Sequence, residues 1–223
     1  MIKAIFYKEW IKTKWVIILG SALLLGSSLF LMFNFFRVVE IKGMAHMWEV
    51  MIHRDAVFVD KIQYLPVLIA MVLAIAQFAP EMYHKCLKLT LHLPFDASKM
   101  IASMLGYGFT ILTLIFAINA LVINCGFYAG FTVEMLSRMA LTSVVWYIGG
   151  ITTYFLTSWI VLEPTWKRRI ANGFISALCL KVFYFPAGAE AYNDFIPYLL
   201  LFMVASSTFA FLSVARFKEG KQD

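Results

Sequence analysis

Residues 15–36 read WVIILGSALLLGSSLFLMFNFF, a run of 22 residues without a charged side chain. As a helix rising 1.5 Å per residue, such a run is about 33 Å long, and the hydrocarbon core of a bilayer is about 30 Å thick. Of the 223 residues in the chain, 62% are hydrophobic and 14% are charged, whereas a soluble domain has about 45–50% apolar and about 25% charged residues. So few polar side chains cannot cover the exterior of a soluble globule. The sequence therefore predicts an all-α integral membrane protein, with residues 1–223 forming one transmembrane domain.

Five further apolar runs complete a prediction of six transmembrane helices. The uncharged run from residue 100 to residue 133 is longer than one span, and its Asn and Gly residues from 119 onward indicate where the chain leaves the lipid. The run over 170–185 is short and contains Lys181. The six predicted spans are residues 15–36, 62–79, 100–124, 139–162, 170–185 and 195–215.

The distribution of basic residues predicts the orientation of these spans. With the N-terminus inside, thirteen of the nineteen Lys and Arg residues lie on the inner side and five on the outer side, and Lys181 lies within a span. We therefore expect a multi-pass protein of the inner cell membrane with both termini in the cytoplasm. The basic run at 167–169 fits the same rule and anionic lipid, so no nucleic-acid partner is expected.

Three segments outside the spans have a helical pattern. Residues 1–14 place their apolar side chains on one face and their lysines elsewhere, which predicts a basic helix lying in the inner interface. Residues 44–52 have apolar side chains at helical spacing and predict a surface helix on the outer side. Residues 81–93 lie between Pro80 and Pro94 and predict a cytoplasmic helix between spans two and three, with Asp96 or Ser98 capping the next span.

A search for catalytic patterns in the sequence gives none, so an intramembrane enzyme ranks last among the possible functions. The four histidines form two pairs, 46 with 53 and 84 with 92, whose nitrogens would be about 10 Å apart on a helix, too far to share a metal ion. No metal site is predicted. Lys181 is a candidate for a substrate path, although its long side chain can also reach the outer interface. Three asparagines are predicted to hydrogen-bond between helices, namely Asn119, Asn124 and Asn172.

Two segments at the inner surface follow a pattern known from one family of membrane proteins. The first is Phe6-Tyr7-Lys8-Glu9-Trp10, followed by lysines at 12 and 14 and Trp15. The second, EMYHKCLKLTLHLP over residues 81–94, has an acidic start, is rich in leucine, and closes with a Leu-Pro step before a short polar stretch. Both resemble the permease subunit of type-2 ABC transporters, the exporter-like class, in its connecting helix and its coupling segment. The turn at residues 186–189 is similar to the re-entrant turn between the last two spans of that family.

This resemblance implies that ATP and Mg²⁺ bind to a separate cytoplasmic ATP-binding-cassette subunit and that this chain carries no cofactor of its own. It also implies a second permease copy, in a homodimer or a heterodimer. Closure of the ATPase dimer would move the helix over 81–93 and with it spans two and three. The residues expected at the ATPase contact are Glu81, His84, Lys85, Leu87, Lys88 and Leu91.

Two other classes of function remain open from the sequence. One is an ATP-independent channel or secondary carrier, although the inverted repeats and midplane charges frequent in carriers are not evident here. The other is a non-transporting assembly or sensor subunit, for which the outer helix over 44–52 would be a docking surface. A stoichiometric soluble ATPase that co-purifies with the chain would distinguish the permease from both.

Overall fold

In the computed structural model the chain is helical, without a β-strand, throughout the residues that the structure describes, which are 2–53, 58–83, 96–128, 130–185 and 190–218. The prediction of an all-α protein is confirmed for these residues. Short 3₁₀ turns occur at Asp60–Ile62, Val182–Tyr184 and Asn193–Phe195. The α-helices are α1 (Ile2–Lys42), α2 (Met44–His53), α3 (Leu65–Tyr83), α4 (Ala97–Phe127), α5 (Val133–Leu162), α6 (Trp166–Lys181) and α7 (Ile196–Lys218).

Five helical segments within the described residues are long and apolar enough to cross a membrane: Ile2–Lys42, Asp60–Tyr83, Ala97–Phe127, Val133–Leu162 and Asn193–Lys218. These contain five of the six predicted spans. The remaining prediction, 170–185, coincides with α6 and the 3₁₀ turn after it, and α6 has only 16 residues. The structure therefore shows a helical protein with five candidate membrane-spanning helices and does not confirm the sixth span.

Helix α1 has 41 residues without a break, which corresponds to about 60 Å, roughly twice the thickness of the hydrocarbon core. The sequence predicts an interfacial helix over 1–14 followed by a separate span, but the structure joins the two into one helix. No proline interrupts residues 2–42, so nothing in the backbone forces a bend at residue 14. The helix ends at Gly43, whose φ of 78° places it in the left-handed region that favours glycine after a helix.

Helix α3 also continues past its predicted end at residue 79. Pro80 lies inside the helix, which ends at Tyr83. A proline inside a helix cannot donate the hydrogen bond to the carbonyl four residues earlier and loosens the turn around it. The Lys12 ammonium donates to the adjacent Gln77 carbonyl at 3.1 Å, so this turn receives a donor from α1. The remainder of the predicted helix over 81–93 lies outside the described residues.

Contacts between helices fix the direction of each long helix. Thr13 of α1 contacts Tyr107 of α4, and Ser28 of α1 contacts Asn119 of α4, so these two helices are parallel. Helices α3, α5 and α7 run in the opposite direction, and their last turns lie beside the first turns of α1, α4 and α6. We call this end of the bundle the base, and the opposite end the top. Helix α1 begins and helix α7 ends at the base.

Helix α6 runs from the base toward the top along α5. Near its start, the Arg169 guanidinium donates to the carbonyls of Val161 and Glu163 at the end of α5. After its end, the Tyr184 hydroxyl donates to the Trp146 carbonyl, closer to the start of α5. The chain therefore climbs most of the height of α5 between residues 166 and 184 before α7 descends.

Aromatic and methionine side chains pack the top. Phe35 of α1 lies within 5.1 Å, centroid to centroid, of the rings of both Phe127 and Phe131. The predicted helix over 44–52 is confirmed as α2, with Met47 and Met51 buried against this cluster. The top is thus held mainly by apolar packing.

The predictions for polar side chains at the helix ends and interfaces have mixed outcomes. Asp96 is the N-cap of α4 and accepts a hydrogen bond from the Ser98 amide at 3.1 Å, as predicted. Asn119 is fully buried and joins α1 to α5 through Ser28 and Tyr147, which confirms its predicted role. Asn124 instead donates to a carbonyl of its own helix, and the amide nitrogen of Asn172 is buried without a partner among the described residues.

Candidate functional site

Five polar residues of α1 and α3 meet at the base, and we call them the charge cluster: Lys8, Glu9, Lys12, Gln77 and Glu81. The Lys12 ammonium lies 2.8 Å from a carboxylate oxygen of Glu9 and 2.8 Å from one of Glu81. The Lys8 ammonium reaches the same Glu81 oxygen at 2.7 Å. Glu9 and Lys12 are three residues apart on α1 and therefore lie on the same face. The cluster fastens the first turns of α1 to the last turn of α3.

The two carboxylates of the charge cluster are buried and the two ammonium groups are partly exposed. The relative exposure is 0% for Glu9 and 2% for Glu81, against 41% for Lys8 and 19% for Lys12. Removing a carboxylate from water is costly unless a cation and hydrogen-bond donors compensate for the lost hydration. Two positive and two negative charges balance, so the cluster is neutral overall.

The two carboxylates differ in how well they are compensated. Glu81 receives both ammonium groups on one oxygen. Glu9 has only the Lys12 ammonium within ion-pair distance, and neither of its oxygens accepts a well-aligned hydrogen bond from the described residues. Lys12 is therefore the side chain on which the burial of Glu9 depends.

Hydrogen bonds extend from the charge cluster into α4 and α5. The Gln77 amide donates to the Met104 carbonyl of α4 at 2.8 Å and accepts from the Tyr154 hydroxyl of α5 at 2.7 Å. One turn above Glu9, the hydroxyl groups of Thr13 and Tyr107 lie 2.9 Å apart. The polar contacts of Gln77 thus connect helix α3, directly before residues 84–95, to both following helices.

The close approach of α4 and α5 at this level depends on a glycine. A Cβ atom on Gly108 would overlap the phenol ring of Tyr154, which is completely buried. The absence of a side chain at residue 108 therefore makes room for the ring that carries the hydroxyl to Gln77.

A second polar group at the base joins the end of α5 to α6 and α7, and we call it the Glu163 group. The Glu163 carboxylate is completely buried and accepts from the Ser213 hydroxyl at 2.6 Å and from the Arg216 guanidinium at 3.1 Å. Its other oxygen accepts from Thr165 at 3.3 Å, and its carbonyl accepts from Arg169 at 2.7 Å. Unlike Glu9, this carboxylate has hydrogen-bond donors on both oxygens.

Of the residues predicted at the ATPase contact or on a substrate path, the structure describes Glu81 and Lys181. Glu81 is predicted at the ATPase contact, yet its side chain is buried against α1, so its observed contacts are internal to the chain. Lys181 is the last residue of α6 and is exposed, as a side chain reaching toward the interface would be. The other predicted contact residues lie outside the described residues: His84, Lys85, Leu87, Lys88 and Leu91. Their contact with an ATPase stays a prediction.

The described parts of the chain contain no group of three potential ligands, taken from His, Cys, Asp and Glu, that could hold a metal ion. His46 and His53 belong to α2 at the top. The other histidine pair, 84 and 92, lies outside the described residues.

Sequence reasoning missed both polar groups of the base. One signal was present in each case: Glu9 interrupts a lysine-rich segment, and Glu163 follows directly on a long apolar run. A carboxylate at the edge of an apolar segment needs a cation. The pattern does not say which cation supplies it, because Lys12 and Glu81 are 69 positions apart in sequence.

Comparisons of the chain with protein-family models, with curated proteins and with solved structures find no match. The resemblance to type-2 ABC permeases therefore comes from the sequence itself, from the order of the predicted spans and from the motifs at residues 6–15 and 81–99. The function follows as a proposal from those residues and from the geometry of the base.

Proposed function

We propose that this chain is the membrane-spanning permease subunit of an ATP-driven ABC transporter, an exporter whose ATPase is a separate cytoplasmic subunit. The single observation that carries the proposal is the charge cluster, because it fastens the start of α1 to α3 immediately before the segment that resembles a coupling helix. In this proposal the base faces the cytoplasm, and the chain has six spans, α6 with the following turn being the fifth.

The charge distribution supports this orientation. Among the described residues, ten Lys and Arg residues and four acidic residues lie at the base, whereas five basic and six acidic residues lie at the top. Loops on the cytoplasmic side of a membrane carry the excess of Lys and Arg. A base in the cytoplasm places residues 84–95 where a soluble ATPase can reach them.

The contacts of the charge cluster support a mechanical role. Residues 84–95 connect the end of α3 to the start of α4, so movement of a partner bound to them would displace both helices. The Glu81 carboxylate transmits a displacement of α3 to α1 through two ammonium groups. Gln77 transmits the same displacement to α5 through the Tyr154 hydroxyl. ATP hydrolysis on the partner would then alternate two arrangements of the bundle, and a second permease copy would complete the cargo path.

Co-purification of the ATPase tests the proposal. Extracted in mild detergent from its native host, the tagged chain should bring down a soluble ATPase in stoichiometric amount. The Leu87→Asp and Lys88→Glu variants should reduce that amount, while the matched charge reversal Lys61→Glu at the top should leave it unchanged. Gradient-driven uptake by the chain alone would identify a secondary carrier instead. A stable complex without an ATPase would identify an assembly or sensor subunit.

A further inference from the structure

A groove open to the outside of the bundle lies between α4, α5 and α7, in the half of the bundle nearer the base. Its volume is about 280 Å³, and its walls are residues 102–109 of α4, Phe155 of α5 and residues 203–211 of α7. Ligand pockets for compact small molecules are typically about 300–1,000 Å³. The volume lies just below this range, so the groove has room for a slender apolar chain but not for a bulky molecule.

A glycine of α4, Gly106, lines the groove where it faces α7. A Cβ atom on Gly106 would meet nothing within 4 Å. Behind it, the rings of Phe109 and Phe155 stack with their centroids 6.2 Å apart and form an aromatic floor. The described side chains leave this space unfilled, and on a membrane-spanning helix the neighbouring medium is hydrocarbon.

Among the described side chains that line the groove, the only polar one is a serine. Its hydroxyl, that of Ser207, already donates to the Val204 carbonyl of its own helix at 2.7 Å. A polar ligand would lose its hydration in this groove without gaining hydrogen bonds, which is unfavourable. An apolar chain loses nothing there. The chemistry of the lining therefore selects a hydrocarbon occupant.

Two cations mark the end of the groove that lies toward the base. Lys99 is exposed in the first turn of α4, on the same face as Gly106, which is seven positions later. Lys218 is the exposed last residue of α7. From Lys99 to Phe109 the helix rises by about 15 Å, half the thickness of the hydrocarbon core. A lipid whose headgroup lies beside the two lysines would thus extend its acyl chain along the length of the groove.

We propose that the groove binds one acyl chain of an anionic phospholipid from the leaflet at the base, with Lys99 and Lys218 beside the headgroup. Negative headgroups attract basic side chains at the membrane surface. The proposal requires only that the helices span a membrane, so it stands whether or not the chain belongs to an ABC transporter.

Photolabelling of the full chain in vesicles tests the proposal. The vesicles consist of phosphatidylcholine with a small fraction of phosphatidylglycerol that carries a photoactivatable diazirine in its acyl chain. After irradiation we expect label concentrated on residues 102–109 and 203–211, several-fold above the label on Leu201, which is exposed on α7 outside the groove. Unlabelled phosphatidylglycerol should compete for the groove several-fold better than unlabelled phosphatidylcholine. Because the competition uses the unaltered chain, it decides the matter even where a variant fails to fold.

Variants distinguish binding of the acyl chain in the groove from binding of the headgroup by the two lysines. Gly106→Leu fills the groove and should lower its labelling several-fold, while the control Gly26→Leu, at another glycine with open space around it, should not. Replacing Lys99 and Lys218 by glutamine should abolish the preference for the anionic lipid. Uniform labelling of all exposed apolar side chains, or equal competition by the two lipids, would overturn the proposal. Cross-links between two copies of the chain through the groove, in place of lipid label, would also overturn it.

Discussion

Replacing Lys12 by methionine should destabilise the protein far more than the same replacement at Lys8. Methionine keeps most of the length and apolar volume of lysine and removes the charge. Without Lys12, Glu9 is completely buried with no cation in ion-pair distance among the described residues, which costs about 3–5 kcal/mol for a broken buried pair. Lys8 is 41% exposed, and the carboxylate that it contacts keeps Lys12 as a partner. Its removal should cost about 0–1 kcal/mol, as for a surface ion pair.

Thermal unfolding of the purified chain in detergent, followed by near-ultraviolet circular dichroism, measures the difference. For a chain of this length, 1 kcal/mol corresponds to about 2–4 °C in Tm, so Lys12→Met should lower Tm by about 6–20 °C and Lys8→Met by less than about 4 °C. Adding Glu9→Gln to Lys12→Met removes the buried charge and should recover most of the loss. Glu9→Gln alone should change Tm little, because Lys12 keeps its contact with Glu81.

The rescue by Glu9→Gln is the decisive part of the experiment. If the double variant were as unstable as Lys12→Met, the loss would come from the missing packing of the lysine stem rather than from an unpaired carboxylate. Equal losses for the Lys8 and Lys12 variants would also refute the reasoning, because they would mean that burial does not distinguish the two contacts.

Three further predictions concern the helix contacts. Gly108→Ala should lower Tm, because overlap with the Tyr154 phenol ring packed on it costs about 1–3 kcal/mol or more. Gly106→Ala has open space around it and should raise the free energy of unfolding by up to about 1 kcal/mol through helix propensity alone. The melting curves of the two variants check the sign of each effect. Asn119→Ala breaks the hydrogen bonds from α4 to α1 and α5 and should cost about 1–3 kcal/mol in the same assay. Ser213→Ala removes the shortest donor to the buried Glu163 carboxylate and should cost about 1–3 kcal/mol, with an unchanged melting curve counting against that contact.

The sequence predicts the helical class and most of the spans because both depend on composition and length alone. Long apolar runs without charge identify five candidate spans, and the helix over 44–52 follows from the spacing of its apolar residues. The sixth run is the weakest by the same measure, since α6 has 16 residues and ends at Lys181. The structure does not confirm a span for this short apolar run.

The sequence predicts less well where helices end and which polar side chains meet. The lysines of residues 8–14 suggest a helix in the interface, but charge does not interrupt a helix, and α1 continues through them. Pro80 suggests a boundary, but α3 continues to Tyr83, and Lys12 from a distant part of the chain donates to the neighbouring Gln77 carbonyl in the same turn. The first error comes from treating charge as a helix break, whereas the second concerns a contact between α1 and α3 that the local sequence does not show.

The two ends of the bundle are held by different forces, and this bears on where the bundle can change shape. The top packs through aromatic rings such as Phe35 and Phe131, whose contacts do not depend on matched donors and acceptors. The base has apolar packing as well, but it is also held by Lys12 and by Glu163, whose ion pairs and hydrogen bonds require particular partners at particular distances. A displacement of the last turns of α3 would force the ammonium of Lys12 to exchange partners. If residues 84–95 are gripped as proposed, the bundle should therefore switch between discrete arrangements at the base while the top stays assembled.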